Sequence, residues 1–127
     1  MNKGDISFQL YTARKFEPYK NIFEYIASMG IKNVELFALS DFDEKELYDL
    51  LQQNNLTALS AHISFESLEN LNDTINKINY LNIRHAIIPA PKAITGKVFQ
   101  EFFSLNESEW IQFAKEISEY IKIFNDN

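Results

Sequence analysis

Cysteine is absent from the 127-residue chain. That removes a disulfide framework, a thiol nucleophile and a thiolate metal site. Glycine is nearly as scarce: only Gly4, Gly30 and Gly96 occur. No dinucleotide fingerprint, phosphate loop or Gly-x-Ser-x-Gly elbow can be assembled from them. Only two histidines are present, with no His-x-x-x-His pair, so no strong metal signature stands out. No apolar run approaches the ~20 residues that span a bilayer. The segment Met1–Asp5 lacks the apolar core of a signal peptide, which makes a cytoplasmic protein the default expectation.

Basic residues are outnumbered by acidic ones, 12 to 18, for a formal net charge of −6. That balance opposes general binding to nucleic-acid phosphates or anionic membrane. A small phosphorylated ligand held by a few local groups remains compatible with it. Hydrophobic residues make up 46% and charged residues 24%, ordinary for a soluble globular domain.

Four short strand-like runs stand out: Ile6–Thr12, Asn33–Phe37, Thr57–Ile63 and His85–Pro89. Each precedes apolar residues at helical spacing. Ile22, Phe23, Ile26 and Met29 form the first stripe, closed by Gly30. Leu47, Leu50 and Leu51 form the second, after the acidic segment Asp41–Glu44, which suits a positive helix N-terminus. Leu68, Leu71, Ile75, Ile78 and Leu81 form the third, with Ser67 as its expected cap. Trp110, Phe113, Ala114, Ile117, Ile121 and Phe124 form the fourth, starting from Asn106. The irregular stretch Ala90–Leu105 has room for a short helix around Lys97–Phe102. No linker composition divides the chain, so residues 1–127 read as one domain.

Strand–helix alternation implies a parallel sheet, because a parallel pair needs a crossover. The period of roughly 25–28 residues matches the repeated unit of an eight-fold barrel of ~250 residues. A flavodoxin-like open sheet is the competing reading. The strand patterns favour the barrel type, because a doubly wound sheet covered on both faces has near-continuous apolar strands. Here Ile6, Phe8 and Leu10 alternate with Ser7, Gln9 and Tyr11, and Val34 and Leu36 with Asn33, Glu35 and Phe37. In the third strand Leu59, Ala61 and Ile63 alternate with Ser60, His62 and Ser64. The expected fold is α/β: four βα units with a parallel sheet, half of a (β/α)8 TIM barrel.

The run Phe8-Gln9-Leu10-Tyr11-Thr12-Ala13-Arg14 resembles the first strand of many sugar isomerase/epimerase barrels of the xylose isomerase-like family. Gly30-Ile31-Lys32-Asn33-Val34-Glu35-Leu36 resembles their first helix end and second strand. Leu59-Ser60-Ala61-His62 resembles the third strand, Ile87-Ile88-Pro89 the fourth, and Trp110 with Phe113-Ala114 the start of the fourth helix. The resemblance runs through the whole chain in order, yet family members are about twice as long. It therefore implies the N-terminal half of a sugar or sugar-phosphate isomerase/epimerase, expected as a truncation or as a half-barrel completed by pairing. The full-length family takes a divalent ion (Mn, Mg or Co) through two Glu, an Asp and a His, largely from the other half. No metal site is expected in this chain alone, and its isolated activity is in doubt.

Glu35 and His62 occupy the polar sides of neighbouring strands near the end where barrel active sites form. An imidazole exchanges protons near neutral pH, and a carboxylate orients hydroxyls or acts as a base. Gln9 and Tyr11 offer an amide and a phenol on the same side, matched to a polyol's need for donors and acceptors. Arg14 suits a carboxylate or phosphate. Structural roles compete at every position: an interior hydrogen-bonded histidine, a paired carboxylate, packing by Gln9 and Tyr11, a loop-anchoring arginine. His85, Pro89 and Pro91 read as structural, Phe102, Phe103 and Trp110 as packing beneath a loop, and Glu107 and Glu109 as a solvated helix start. Four strands also leave two open edges, each inviting another chain, so a homo-oligomer, most simply a two-fold dimer, is expected. A non-catalytic oligomerising or ligand-binding module derived from the barrel is the alternative to an enzyme part.

Overall fold

The computed structural model describes residues 6–16, 18–64, 66–89 and 105–125. Four strands, β1 (Ser7–Gln9), β2 (Asn33–Leu36), β3 (Thr57–His62) and β4 (His85–Ile87), form one sheet. They lie in the order β1-β2-β3-β4, and every neighbouring pair is parallel. Four α-helices alternate with them: α1 (Tyr19–Ser28), α2 (Glu44–Gln53), α3 (Leu71–Tyr80) and α4 (Glu107–Asn125). The chain is thus an α/β unit in which sequence neighbours are sheet neighbours. Among the described residues no helix is long and apolar enough to cross a membrane.

The core lies between the sheet and the helices. Val34, Leu36, Ala58 and Ala61 from the strands meet Ile22, Phe23, Ile26, Leu47, Leu51 and Ile78 from α1–α3. Met29, expected in the first stripe, is 41% exposed; α1 ends at Ser28, and Gly30 turns the chain away at φ 78°. That left-handed conformation is open to glycine at no steric cost. Asp43 caps α2, its Oδ1 accepting from the Glu46 N–H at 2.9 Å. Asn106 and Glu109 close a reciprocal capping box on α4: Asn106 Oδ1 accepts from Glu109 N–H at 3.1 Å, and Glu109 Oε2 from Asn106 N–H at 2.8 Å.

Three details differ from the sequence pattern. The first strand stops at Gln9, and Leu10–Ala13 coils into a 3-10 turn, so Tyr11 leaves the sheet. Ser67 does not cap α3. It lies in a 3-10 segment, Glu66–Asn70, that precedes the helix, where Ser64 Oγ accepts its N–H at 3.1 Å. In β3 the register jumps from Val34↔Ala58 to Glu35↔Ser60. Leu59 is the extra residue of this bulge, and Ala58, not Leu59, packs beneath the helices at 2% exposure.

The fourth helix is attached more loosely. It has no fully buried side chain; Phe113, Ile117, Tyr120 and Phe124 pack half-buried against the core. Trp110 and Ile121 are largely exposed, so the expected stripe is only partly covered. A groove of about 380 Å³ opens between α3, β4 and α4. The short helix expected around Lys97–Phe102, and Pro91, Phe102 and Phe103, lie outside the described residues.

Candidate functional site

The sheet face opposite the helices is polar because β1, β2 and β3 run parallel in matched register. Gln9 lies beside Glu35, and Glu35 beside Ser60. The bulge at Leu59 matters here. It lets Ser60 and His62 stay on Glu35's side while Ala58 turns to the helices. Without the extra residue, one of these two sets would point the wrong way.

Three side chains from the two flanking strands, β1 and β3, converge on the Glu35 carboxylate of β2. Gln9 Nε2 donates to Oε1 at 3.1 Å, Ser60 Oγ donates to Oε2 at 2.7 Å, and His62 Nε2 stands 3.0 Å from Oε1. The Glu35 and His62 side chains are about one-fifth exposed, so water reaches the cluster from one side. Burial pushes the Glu35 carboxyl upward. The Ser60 and Gln9 hydrogen bonds and the adjacent His62 imidazole outweigh it and hold the acid below its ordinary value. Glu35 is therefore ionised at neutral pH.

An ionised carboxylate can only accept, so the imidazole nitrogen facing it carries the proton. Gln9 Nε2 lies 3.3 Å from that same nitrogen. Since both are then donors, this is a close approach, with the Gln9 N–H groups directed at Glu35. The tautomer follows: neutral His62 bears hydrogen on Nε2 and keeps its lone pair on Nδ1. Nδ1 is thus the ring atom that can accept a hydrogen bond or a proton, with Glu35 fixing the orientation of the ring. This is the logic of a histidine oriented by a carboxylate.

An aromatic rim follows the cluster at the carboxyl ends of β1 and β2. Tyr11, half-exposed, meets Phe37 edge-on with ring centroids 5.7 Å apart. Tyr19 stands between Phe37 and Phe42, at 6.1 and 5.1 Å. Arg14 lies over the Tyr11 ring, its guanidinium carbon 3.9 Å from the centroid, and its Nη1 donates to the Tyr11 carbonyl at 2.8 Å. Ala38, just past Phe37, adopts the left-handed region at φ 49°, a conformation that is costly for a non-glycine residue.

Of the five residues singled out by sequence, Gln9, Glu35 and His62 are in mutual contact, while Tyr11 and Arg14 sit together on the rim. Ser60 is the member that sequence reasoning placed on the right face but did not select. Its only sequence signal was its place on the polar face; its pairing with Glu35 comes from the register across the Leu59 bulge. His85 starts β4, paired in register with Ser60, and is exposed.

Among the described residues no group of three potential metal-ligating side chains occurs. No protein-family model matches the chain, and no curated protein matches it either.

Proposed function

We propose that the chain is the part of a sugar or sugar-phosphate isomerase/epimerase-type (β/α)8 barrel that carries its first four strands, and that its polar sheet face forms one wall of a polyol pocket. Two features support the barrel reading. The strand order is sequential, with no reversal among the four strands, and a doubly wound sheet would need such a reversal. The sheet also has one apolar and one polar face, as a barrel wall does near its mouth. The observation that carries the functional reading is the convergence of Gln9, Ser60 and His62 on Glu35 from the two strands that flank it.

A polyol needs donors and acceptors at fixed spacing on a rigid frame. The cluster supplies a charged acceptor, an amide and an imidazole with a free lone pair on strands that packing holds in place. His62 is the group suited to move a proton, at Nδ1, and Glu35 orients it. A barrel-derived binding module without catalysis is the second reading, favoured because the cluster's titratable groups are already paired with one another.

The test is titration of the chain with ribitol, followed through the His62 ring signals by NMR, and a turnover assay on a panel of keto- and aldo-sugars with Mn²⁺, Mg²⁺ or Co²⁺. Ribitol should shift the His62 signals, and Glu35→Gln should abolish the shift. Turnover selects the enzyme reading; binding without turnover selects the module. If no polyol perturbs His62, both readings fail.

The polar face and the outer strands β1 and β4 lack a facing wall among the described residues. We assign that wall to a second copy of the chain. Sedimentation at micromolar concentration should give a dimer, and a clean 14.8 kDa monomer would reject the assignment.

A further inference from the structure

Resting on the polyol reading, we propose that the ligand carries an acid group at one end, held by Arg14, with its hydroxyls directed at the Glu35 cluster. The juxtaposition behind this lies within six residues. Gln9 ends β1 inside the cluster, and the 3-10 turn that follows carries Tyr11 and leads to Arg14. Tyr11 in turn touches Phe37, two residues beyond Glu35. Arg14 therefore stands on the rim at the strand ends, where parallel α/β sheets bind their ligands.

Arginine on a protein surface is normally mobile. Arg14 is not left so, because its guanidinium stacks on the Tyr11 ring and one N–H is tied to the Tyr11 carbonyl. The ordering cost of fixing a long side chain is met before any ligand arrives. A guanidinium has five N–H donors in a planar fork, and among the described residues Arg14 spends one of them on the Tyr11 carbonyl.

The chain has acidic residues in excess, yet no carboxylate among the described residues pairs with Arg14. By contrast Lys20, Lys45, Lys77 and Lys122 each face an acid on their own helix. Other cations also lack an acid partner. Arg14 differs from them in being held in position by two contacts beside the candidate site. A preorganised fork with no counter-ion among the described residues is matched by a carboxylate or a phosphate, and both can accept in bidentate fashion.

Calorimetric titration with three probes sharing one polyol chain tests this: neutral ribitol, ribonate and ribitol 5-phosphate. The chain should bind at least one acidic probe about tenfold more tightly than ribitol, the usual gain from a charge-assisted pair. Whether ribonate or the phosphate gains more identifies the acid. Arg14→Met should erase the preference, and Arg14→Lys should keep part of it. The wild-type preference should also shrink with added salt, a readout that needs no variant.

An acid preference that survives Arg14→Met or Arg14→Lys undiminished would overturn the assignment. So would equal affinities for all three probes in the wild-type chain. If ribitol binds, and Glu35→Gln weakens it, but the acids gain nothing, the inference fails and the polyol reading stands. If none of the three binds, the polyol reading itself fails and takes the inference with it.

Discussion

The two faces of this sheet are built from the same short strands and obey opposite rules. On the helix side Phe23, Ile26, Val34, Leu36 and Ala61 are essentially sealed from water, and burial of apolar area does the stabilising. On the other side Gln9, Glu35, Ser60 and His62 remain partly hydrated or in contact with hydrated neighbours, and both Glu35 carboxylate oxygens are matched to partners. One face holds the fold and the other is free to do chemistry. The difference teaches that removing a residue from the first should cost stability before anything else. Removing one from the second should cost function with little loss of fold.

The largest expected effect breaks the apolar face. Phe23 is wholly buried between α1 and the sheet. Phe23→Ala should cost about 3–5 kcal/mol through lost transfer energy and an unfilled cavity, a large share of the ~5–15 kcal/mol typical of a domain. Urea denaturation followed by circular dichroism measures it. A loss under about 1 kcal/mol would mean that the helix side is not the core of this unit.

Much of this contrast could be read in advance. Alternation in Phe8–Gln9 and Val34–Glu35–Leu36 placed the polar set correctly, because a strand offers only two directions. The same rule misplaced Leu59. A bulge adds one residue without a compositional mark, and the small Ala58 took the buried position that hydropathy assigned to its larger neighbour. Tyr11 was placed on the strand for a related reason: Leu10–Thr12 reads as extended by pattern, yet Leu10–Ala13 coils into a 3-10 turn that still delivers Leu10 and Ala13 to the core. Ser67 failed as a cap because local bonds with Ser64 set up a 3-10 segment before α3 begins. The site was legible as a face, whereas its wiring was not. That Glu35 Oε1 takes both Gln9 and His62, and Oε2 takes Ser60, depends on a register that only the paired strands define.

The smallest effect on stability belongs to the polar face, and its pH dependence makes it decisive. Glu35→Gln keeps the shape of the side chain. Its amide oxygen can still accept from Gln9 and His62, and the Ser60 hydroxyl can rotate to accept from the new amide. The expected loss near neutral pH is about 1 kcal/mol. The sign of its pH dependence follows from the direction of the Glu35 shift. Folding lowers this carboxyl below its ordinary value of 4.5, so the folded state binds its proton less readily than the unfolded chain. The stabilisation from the charged form is fully present above that value and is lost as pH falls through the lower folded one. Measured by urea denaturation from pH 7 downward, the gap between wild type and Glu35→Gln should therefore hold steady to about pH 5 and close in more acidic solution. A gap that stays constant into strong acid would show that Glu35 gains nothing from its three partners. The polar face would then be a hydrated surface, with no assembled site on it.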